Sequence, residues 1–439
     1  MLTPRLIESS LAFCQASPRQ IFLAYSGGVD SHVLLHLCAQ EPKLRGSVTA
    51  VHVHHGLQVQ ADDWARHAET TARGLGVDFL LRRVDAHPRP GESPEEAARN
   101  ARYAALKPLM RPDDVLLVAQ HRDDQLETVL LQLLRGGGLP GLAGMPASMP
   151  FGPGTLLRPF LHVRKQDIDR YALAHRLDWI EDPTNRESVY DRNFLRREVL
   201  PLLKQRWPAC DRTVGRAAGH CAEAYAVLAE SAAESFALVH SARDNTLDIE
   251  RLGTFDLRRR RLIIRHWFGQ MGLKMPSQAF LTQLFDHVIG AAGDSDPVLN
   301  GQGCQMRRYR NRLYCLRNGQ VEDLQPLDWP KEKESLMIGK RMTLNRVVST
   351  DGIPESVWRQ STVTVKFRSG GEKIALPGRR GHHLLKNLYQ EIGMPPWERA
   401  ALPLLYLDGQ LAAVADLWIG ADYYREGLYP CFRLALARH

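Results

Sequence analysis

Short apolar runs alternate with segments of helical period along the first 120 residues. Ile21–Tyr25 is an apolar run ending at a glycine pair, and Ser31–Gln40 continues with Val33, Leu34, Leu37 and Cys38 at helical spacing. Val48–His54 and Phe79–Val84 read as the second and third strands, with a helix over Ala61–Leu75 between them. Ser93–Leu109 reads as a helix, with Ser93 as N-cap, Pro94 at the first position and Glu96 three residues after the cap. Val115–Gln120 is a fourth strand and Asp123–Arg135 a further helix. Strands separated by helices predict βαβ units, a mainly parallel sheet and right-handed crossovers.

Further on, the pattern changes. Gly136–Leu157 is free of charge for 22 residues, but seven are Gly and four are Pro, so it reads as a loop and not a membrane span. Val163–His175 is an amphipathic helix, followed by a polar run over 181–197. Residues 217–287 are helical in pattern, 293–320 look like turns and short strands, and 321–336 read as a polar linker. The fold class expected is α/β: a doubly wound parallel-sheet domain over 1–215, a helical domain over 216–320 and a small mixed α/β domain over 350–439.

Composition changes this picture in one place. The 439 residues carry 57 Lys and Arg against 49 acids, a net charge of +8. Residues 251–320 hold 12 of the cations and four of the acids, so the rest of the chain is neutral and the surplus is local. Trp267, Phe268 and Tyr309 are interleaved with the arginines, which favours phosphate contact without implying base reading. The 44% hydrophobic and 24% charged content is that of an ordinary globular chain. Seven scattered cysteines form no Cys-x-x-Cys pair, which suits reduced thiols in the cytoplasm and argues against cysteine-held metal. No signal peptide is visible at the N-terminus.

The chemistry enters at Ser26-Gly27-Gly28-Val29-Asp30-Ser31, between the first strand and its helix. Glycines allow a tight turn and close approach of a ligand, and a helix start attracts phosphate. The loop lacks the lysine of a P-loop and the spacing of a dinucleotide fingerprint. It resembles the loop of the ATP pyrophosphatases, which cut ATP between its α and β phosphates. Further segments narrow the resemblance: 51–57, Ala98–Tyr103, His121–Thr128, 181–185 and Arg192–Arg196, with Lys386–Glu391 and Met394–Trp397 near the C-terminus. Together these resemble the longer bacterial tRNA(Ile)-lysidine synthetases over nearly the whole chain, most strongly in residues 21–200.

Each candidate residue also has a plainer reading. His52, His54 and His55 end a strand; structural or lining histidines outweigh a metal site, because no acid or cysteine is spaced to join them. His54 and His55 are kept as nucleotide-site lining. Asp124 and Glu127 share a helix face, and a capping box with Asp124 as cap is the alternative to a carboxylate pair that holds an amine. Arg99 is placed to pair with Glu95 as a surface contact, whereas the resemblance implies that Arg102 belongs to the catalytic site.

The resemblance implies an ATP-dependent ligase acting on the wobble cytidine of the isoleucine tRNA with a CAU anticodon. ATP adenylates the C2 oxygen and L-lysine then displaces AMP. It implies ATP binding by Ser26, Gly27, Gly28, Val29, Asp30 and Ser31, catalysis by Asp30, Arg102, Asp124 and Glu127, and lysine binding by Asp124 and Glu127. Arg192, Arg196, Arg258, Arg259, Arg260, Arg261, Arg307, Arg308 and Lys386 are candidates for tRNA contact. Mg²⁺ is expected to travel with ATP, with no metal held by a protein motif. The partners are tRNA and lysine, with no membrane and no DNA. A tRNA thiolase is the nearest rival, but clustered cysteines are missing. A nucleotide-sensing RNA binder without chemistry would not need the loop, the acid pair and the arginine together.

Overall fold

The computed structural model describes the chain except residues 1, 15, 57–59, 89–92, 182–189, 293–294, 318–323, 341 and 439. It divides into two units, Met1–Glu230 and Ser231–His439. No helix among the described residues is long and apolar enough to cross a membrane.

In the first unit α1 (Arg5–Leu11) precedes β1 (Ile21–Ala24). Then α2 (Val29–Gln40), β2 (Val48–His54), α3 (Ala61–Gly74), β3 (Asp78–Arg83), α4 (Pro94–Leu106), β4 (Val115–Leu117) and α5 (Arg122–Leu134) alternate. β1 pairs in parallel with β2 and β4, so that Ile21 lies opposite Val48 on one side and Val115 on the other. The chain thus winds outward from β1 in two directions, and a crevice opens where the order reverses, at the C-terminal strand ends. Ser93 caps α4 as expected, its Oγ accepting from Glu96 N at 3.2 Å.

The stretch expected as a loop is built differently. It holds α6 (Leu139–Leu142) and a hairpin of β5 (Ser148–Phe151) and β6 (Gly154–Leu157), and β6 joins the sheet parallel to β4. The sheet order is therefore β3-β2-β1-β4-β6-β5. Glycine and proline serve the hairpin rather than forbid it. Gly152 takes φ +61°, and a Cβ on Gly154 would come within 2.5 Å of Asp114 O. Leu156 and Leu157 are buried and secure the strand.

The unit continues through α7 (Lys165–Ala174), α8 (Asp191–Phe194), a π-helical turn over Leu195–Val199, α9 (Leu200–Arg206) and α10 (Cys210–Val239). Leu23, Ala50 and Leu117 pack with Val33, Leu34 and Leu37 of α2 and Ile168 of α7. On the other face Val51, Val53, Leu116 and Val118 pack with Leu106 of α4. Covering both faces is why these strands read as unbroken apolar runs. Each buried Leu contributes roughly 1.5–3 kcal/mol.

The second unit carries more strand than its sequence pattern indicates. β7 (His240–Ser241), β8 (Thr246–Asp248), α11 (Ile249–Gly253), α12 (Leu257–Gln270), α13 (Gln278–Gln283), β9 (Val298–Gly301), β10 (Cys304–Tyr309) and β11 (Arg312–Arg317) come first. Their strands form one sheet, β7-β8-β11-β10-β9, whose core joins Met306 and Leu313 to Ile263, Trp267 and Phe268 of α12. The expected linker is partly paired: β12 (Leu327–Asp328) and β13 (Ser335–Ile338) add to the sheets that follow, and Trp329 and Ile338 are buried. Those sheets are carried mainly by β14 (Met342–Pro354), α14 (Glu355–Gln360), β15 (Val363–Lys366), β16 (Lys373–Ala375), β17 (His382–Leu384), α15 (Leu385–Glu391), α16 (Pro396–Ala401), β18 (Leu404–Leu407), β19 (Gln410–Val414), β20 (Trp418–Ile419) and β21 (Arg425–Arg438). β14 and β21 run antiparallel as a long ribbon.

Candidate active site

β1 runs directly into the Ser26–Ser31 loop. Gly27 has φ +85°, and a Cβ there would stand 2.6 Å from Ile180 Cδ1, so only glycine fits. Gly28 caps α2 in extended conformation. Ser31 Oγ donates to Gly28 O at 2.9 Å, accepts from Ser26 N at 3.3 Å and lies 3.0 Å from Ser26 Oγ. The loop is thus folded back on the N-terminus of α2, whose free N–H groups and dipole favour an anion.

A cavity of about 530 Å³ opens above this loop. That volume is in the range of small-molecule sites. Ser26, Asp30, Ser31, His54, His55, Arg102, Asp124, Arg192 and Arg196 all line it. Glu127 is fully buried one helical turn beyond Asp124.

The carboxylate pair is not a capping box of Asp124 with Glu127. His121 is the cap of α5: its Nδ1 accepts from Asp123 N at 3.2 Å, and its N–H donates to Asp124 Oδ2 at 2.9 Å. Glu127 is left out of the cap and meets arginine instead. Arg196 Nε donates to Glu127 Oε1 at 2.7 Å, and its Nη2 reaches Glu127 Oε2 at 2.9 Å and Asp124 Oδ1 at 3.0 Å. Arg192 Nε lies 3.3 Å from Glu127 Oε2, and its Nη2 donates to Thr128 Oγ1 at 3.1 Å. Burial pushes the Glu127 carboxyl above its usual range, although Arg196 pulls the other way. Burial also works against the Arg196 charge, but Glu127 and Asp124 hold it firmly protonated. The two arginines expected to grip RNA are therefore bound here to the acids.

Asp30 accepts from Lys165 Nζ at 2.7 Å, and His121 Nε2 lies 3.7 Å from its other oxygen. His55 is pushed down to about 4 by burial and by the nearby Arg102 charge, so it is neutral at pH 7. Its buried Nδ1 has no hydrogen-bond partner among the described residues. His54 also serves the fold: Nδ1 accepts from Gly56 N at 3.2 Å and Nε2 lies 3.3 Å from Asp62. Among the described residues no group of three or more His, Cys, Asp or Glu is arranged to hold a metal. Arg99 stands over the Tyr103 ring at 5.1 Å; the Glu95 side chain expected to pair with it lies outside the described residues, as do residues 182–185 of the fourth motif.

Sequence reasoning quoted His121 within a motif without giving it a role, and passed over Lys165 and Gln120. The signal for His121 was its place directly before α5, where a cap belongs. Lys165 gave none, since 135 residues separate it from Asp30.

The basic stretch of the second unit is divided in its roles. The Arg258 side chain is 90% exposed. Arg259 reaches Ser231 Oγ, while Arg260 donates to the carbonyls of Phe255 and Gly253 and Arg261 turns its Nε inward. Arg308 donates to the carbonyls of Ile289 and Ala291. Arg307 lies over the Trp397 ring at 5.1 Å. Tyr314 and Tyr309 meet the same ring edge-on at 5.0 and 6.2 Å, and buried Arg399 donates to Tyr309 Oη at 2.9 Å. Lys386 is exposed on α15.

A parallel sheet whose first strand ends in a Ser-Gly-Gly loop at the switch point defines a PP-loop nucleotide-binding domain. The family model described as a PP-loop domain matches residues 4–203. Models described as the TilS substrate binding domain and the TilS substrate C-terminal domain match residues 247–314 and 363–434. Among curated relatives, the tRNA(Ile)-lysidine synthase of Methylococcus capsulatus is 42% identical over 91% of this chain and 92% of its own. That of Alkalilimnicola ehrlichii is 41% identical over 95% and 93%, and that of Coxiella burnetii 37% over 92% and 90%. The chain belongs to the tRNA(Ile)-lysidine synthase family.

Proposed function

We propose that this protein converts the wobble cytidine of the isoleucine tRNA with a CAU anticodon to lysidine, using ATP and L-lysine. One observation carries the reading: a phosphate-binding loop, Arg102 and Asp124 face one cavity, and Asp124 shares a cation with Glu127 buried behind it.

ATP lies with its phosphates on the loop and the α2 N-terminus. The C2 oxygen of the cytidine attacks the α-phosphorus, the bond to the leaving phosphate oxygen breaks, and pyrophosphate departs. Positioning and electrostatics carry such a step, and Arg102 is one of the cavity's cations, set to meet charge building on the phosphoryl group. Mg²⁺ screens the phosphates when bound; one carboxylate plus substrate oxygens is a set that suits it, and Asp30 is the carboxylate of the loop.

In the second step the lysine ammonium takes the place of the Arg196 guanidinium against Asp124 and Glu127, since both offer a positive charge and N–H donors. The amine gives a proton to this pair before it attacks C2. The new C2–N bond forms, the C2–O bond breaks, and AMP leaves with the oxygen. The cytidine must be splayed from its loop to enter the cavity. Arg192 and Arg196, once released from the acids, lie beside it. Exposed Arg258, Arg259 and Lys386 supply phosphate contacts elsewhere on the tRNA.

The test is the purified protein with tRNA, labelled lysine and ATP. One lysine incorporated at the anticodon for each AMP and pyrophosphate released is the expected result. ATP cleavage without lysine transfer overturns the reading. Sulfur transfer is disfavoured because no cysteine is among the residues described around the cavity.

A further inference from the structure

Arg158 is the first charge after the 22 uncharged residues, and only 5% of it is exposed. A buried cation is ordinarily paired with a carboxylate. Among the described residues Arg158 has no carboxylate as a hydrogen-bond partner. Its Nη1 donates to Pro146 O at 2.8 Å, its Nη2 points to the Met149 sulfur at 3.6 Å, and its Nε donates to Gln120 Oε1 at 2.6 Å. A guanidinium has donors and no acceptor, so the amide oxygen of Gln120 must face it and the amide nitrogen must face away.

Gln120 lines the cavity. β1 and β4 pair as far as Leu23 and Leu117, and just past those strand ends both Ser26 of the phosphate loop and Gln120 line the cavity. Leu116 and Val118 pack on the α4 side of the sheet, and Arg102 and Tyr103 of α4 line the same cavity as Gln120.

We propose that Gln120 is a further substrate-contacting residue: a donor-only amide, locked by Arg158 and aimed at an acceptor oxygen of the adenylation step. This rests on the function proposed above. Two oxygens share the required chemistry, a non-bridging oxygen of the ATP α-phosphate and the C2 carbonyl of the base. A donor fixed beforehand needs no reorientation as charge shifts between them. Arg158 acts through Gln120 and is a positioning residue.

The deciding variant is Gln120→Glu. It offers Arg158 a carboxylate, so the thermal midpoint is expected to hold or rise, while the donor is gone. The kcat/KM of tRNA-dependent pyrophosphate release should fall about 100-fold. ATP binding measured without tRNA separates the two oxygens: it weakens about tenfold if the phosphate is the partner and stays unchanged if the base is. Arg158→Lys, which still donates to Gln120, should recover most of the activity lost in Arg158→Met. A Gln120→Glu protein that matches wild type in both ATP binding and tRNA-dependent turnover overturns the contact. A wild type that binds ATP and makes no lysidine overturns the functional reading instead.

Discussion

Two arginine clusters, one in each unit, do opposite work. In the first, Arg192 and Arg196 sit on carboxylates inside a cavity, and Glu127 is wholly buried behind them. In the second, Arg260 and Arg308 bond to backbone carbonyls, and Arg307 lies on the Trp397 ring. A guanidinium on a carboxylate can be exchanged for another cation, because the acid keeps its charge when the first one leaves. A guanidinium that satisfies partly buried carbonyls is not replaced by a free cation so readily, because its fork bonds two of them at once and removing it leaves both without that donor. The first arrangement suits a binding site and the second a scaffold. Charge density along the sequence does not tell them apart.

The largest effect should come from the exchangeable cluster. Glu127→Gln keeps the shape and removes the charge, and lysine transfer should fall by about 10²–10⁴-fold. Pyrophosphate release with tRNA should stay within about threefold, because the loop and Arg102 are untouched. The pH profile adds a second reading. Burial raises the folded-state pKa of Glu127, so its carboxylate is lost as pH falls through a range above that of an ordinary carboxyl. Wild-type lysine transfer should therefore decline on that acid side, and the variant should lack the limb. A Glu127→Gln protein with full transfer and an unchanged limb would make the cluster structural, and the contrast between the units would collapse.

A middle-sized effect belongs to the scaffold. Trp397→Ala removes the ring that Arg307, Tyr309 and Tyr314 contact, and the unfolding transition of the second unit should lose about 2–3 kcal/mol. The KM for tRNA should rise while the KM for ATP stays put. Calorimetry with parallel kinetics checks both. An undisturbed transition would show that the ring is a free contact surface rather than a joint.

What could be read from the sequence follows the same divide. Segments whose evidence is local were legible: the apolar strand runs, the Ser93 cap and the glycine loop before α2 each carry their cause within a few residues. The hairpin of β5 and β6 was not, because its Gly and Pro content speaks for a loop and only pairing with β4 makes Leu156 and Leu157 a strand. The acid pair was visible as Asp124 and Glu127, but its partners came from about 70 residues away, so Arg196 was read for RNA contact and its tie to the acids was not. The arginines of 251–320 were visible as charge. Where Arg307 and Arg308 point depends on the β9–β11 sheet, and a reading of 293–320 as turns and short strands does not say which side of each strand faces the core.

The smallest effect is the most direct measure of that division. Arg258 is exposed and Asp256, its ion-pair partner among the described residues, stands 4.0 Å away, so its charge is available to a phosphate. Arg258→Ala should raise the tRNA KM about two- to fivefold and reduce the slope of log K against log salt by about one, the loss expected for a single phosphate contact. Arg308→Ala removes the same formal charge from the same stretch, but its Nη1 is held by the carbonyls of Ile289 and Ala291. It should lower the stability of the second unit and leave the salt slope where it was. Two charge-equal substitutions with separate signatures would establish that the basic stretch is part RNA surface and part framework. Equal slopes in both would mean that its net charge acts as a diffuse field, and that the placement of each guanidinium matters little to the tRNA.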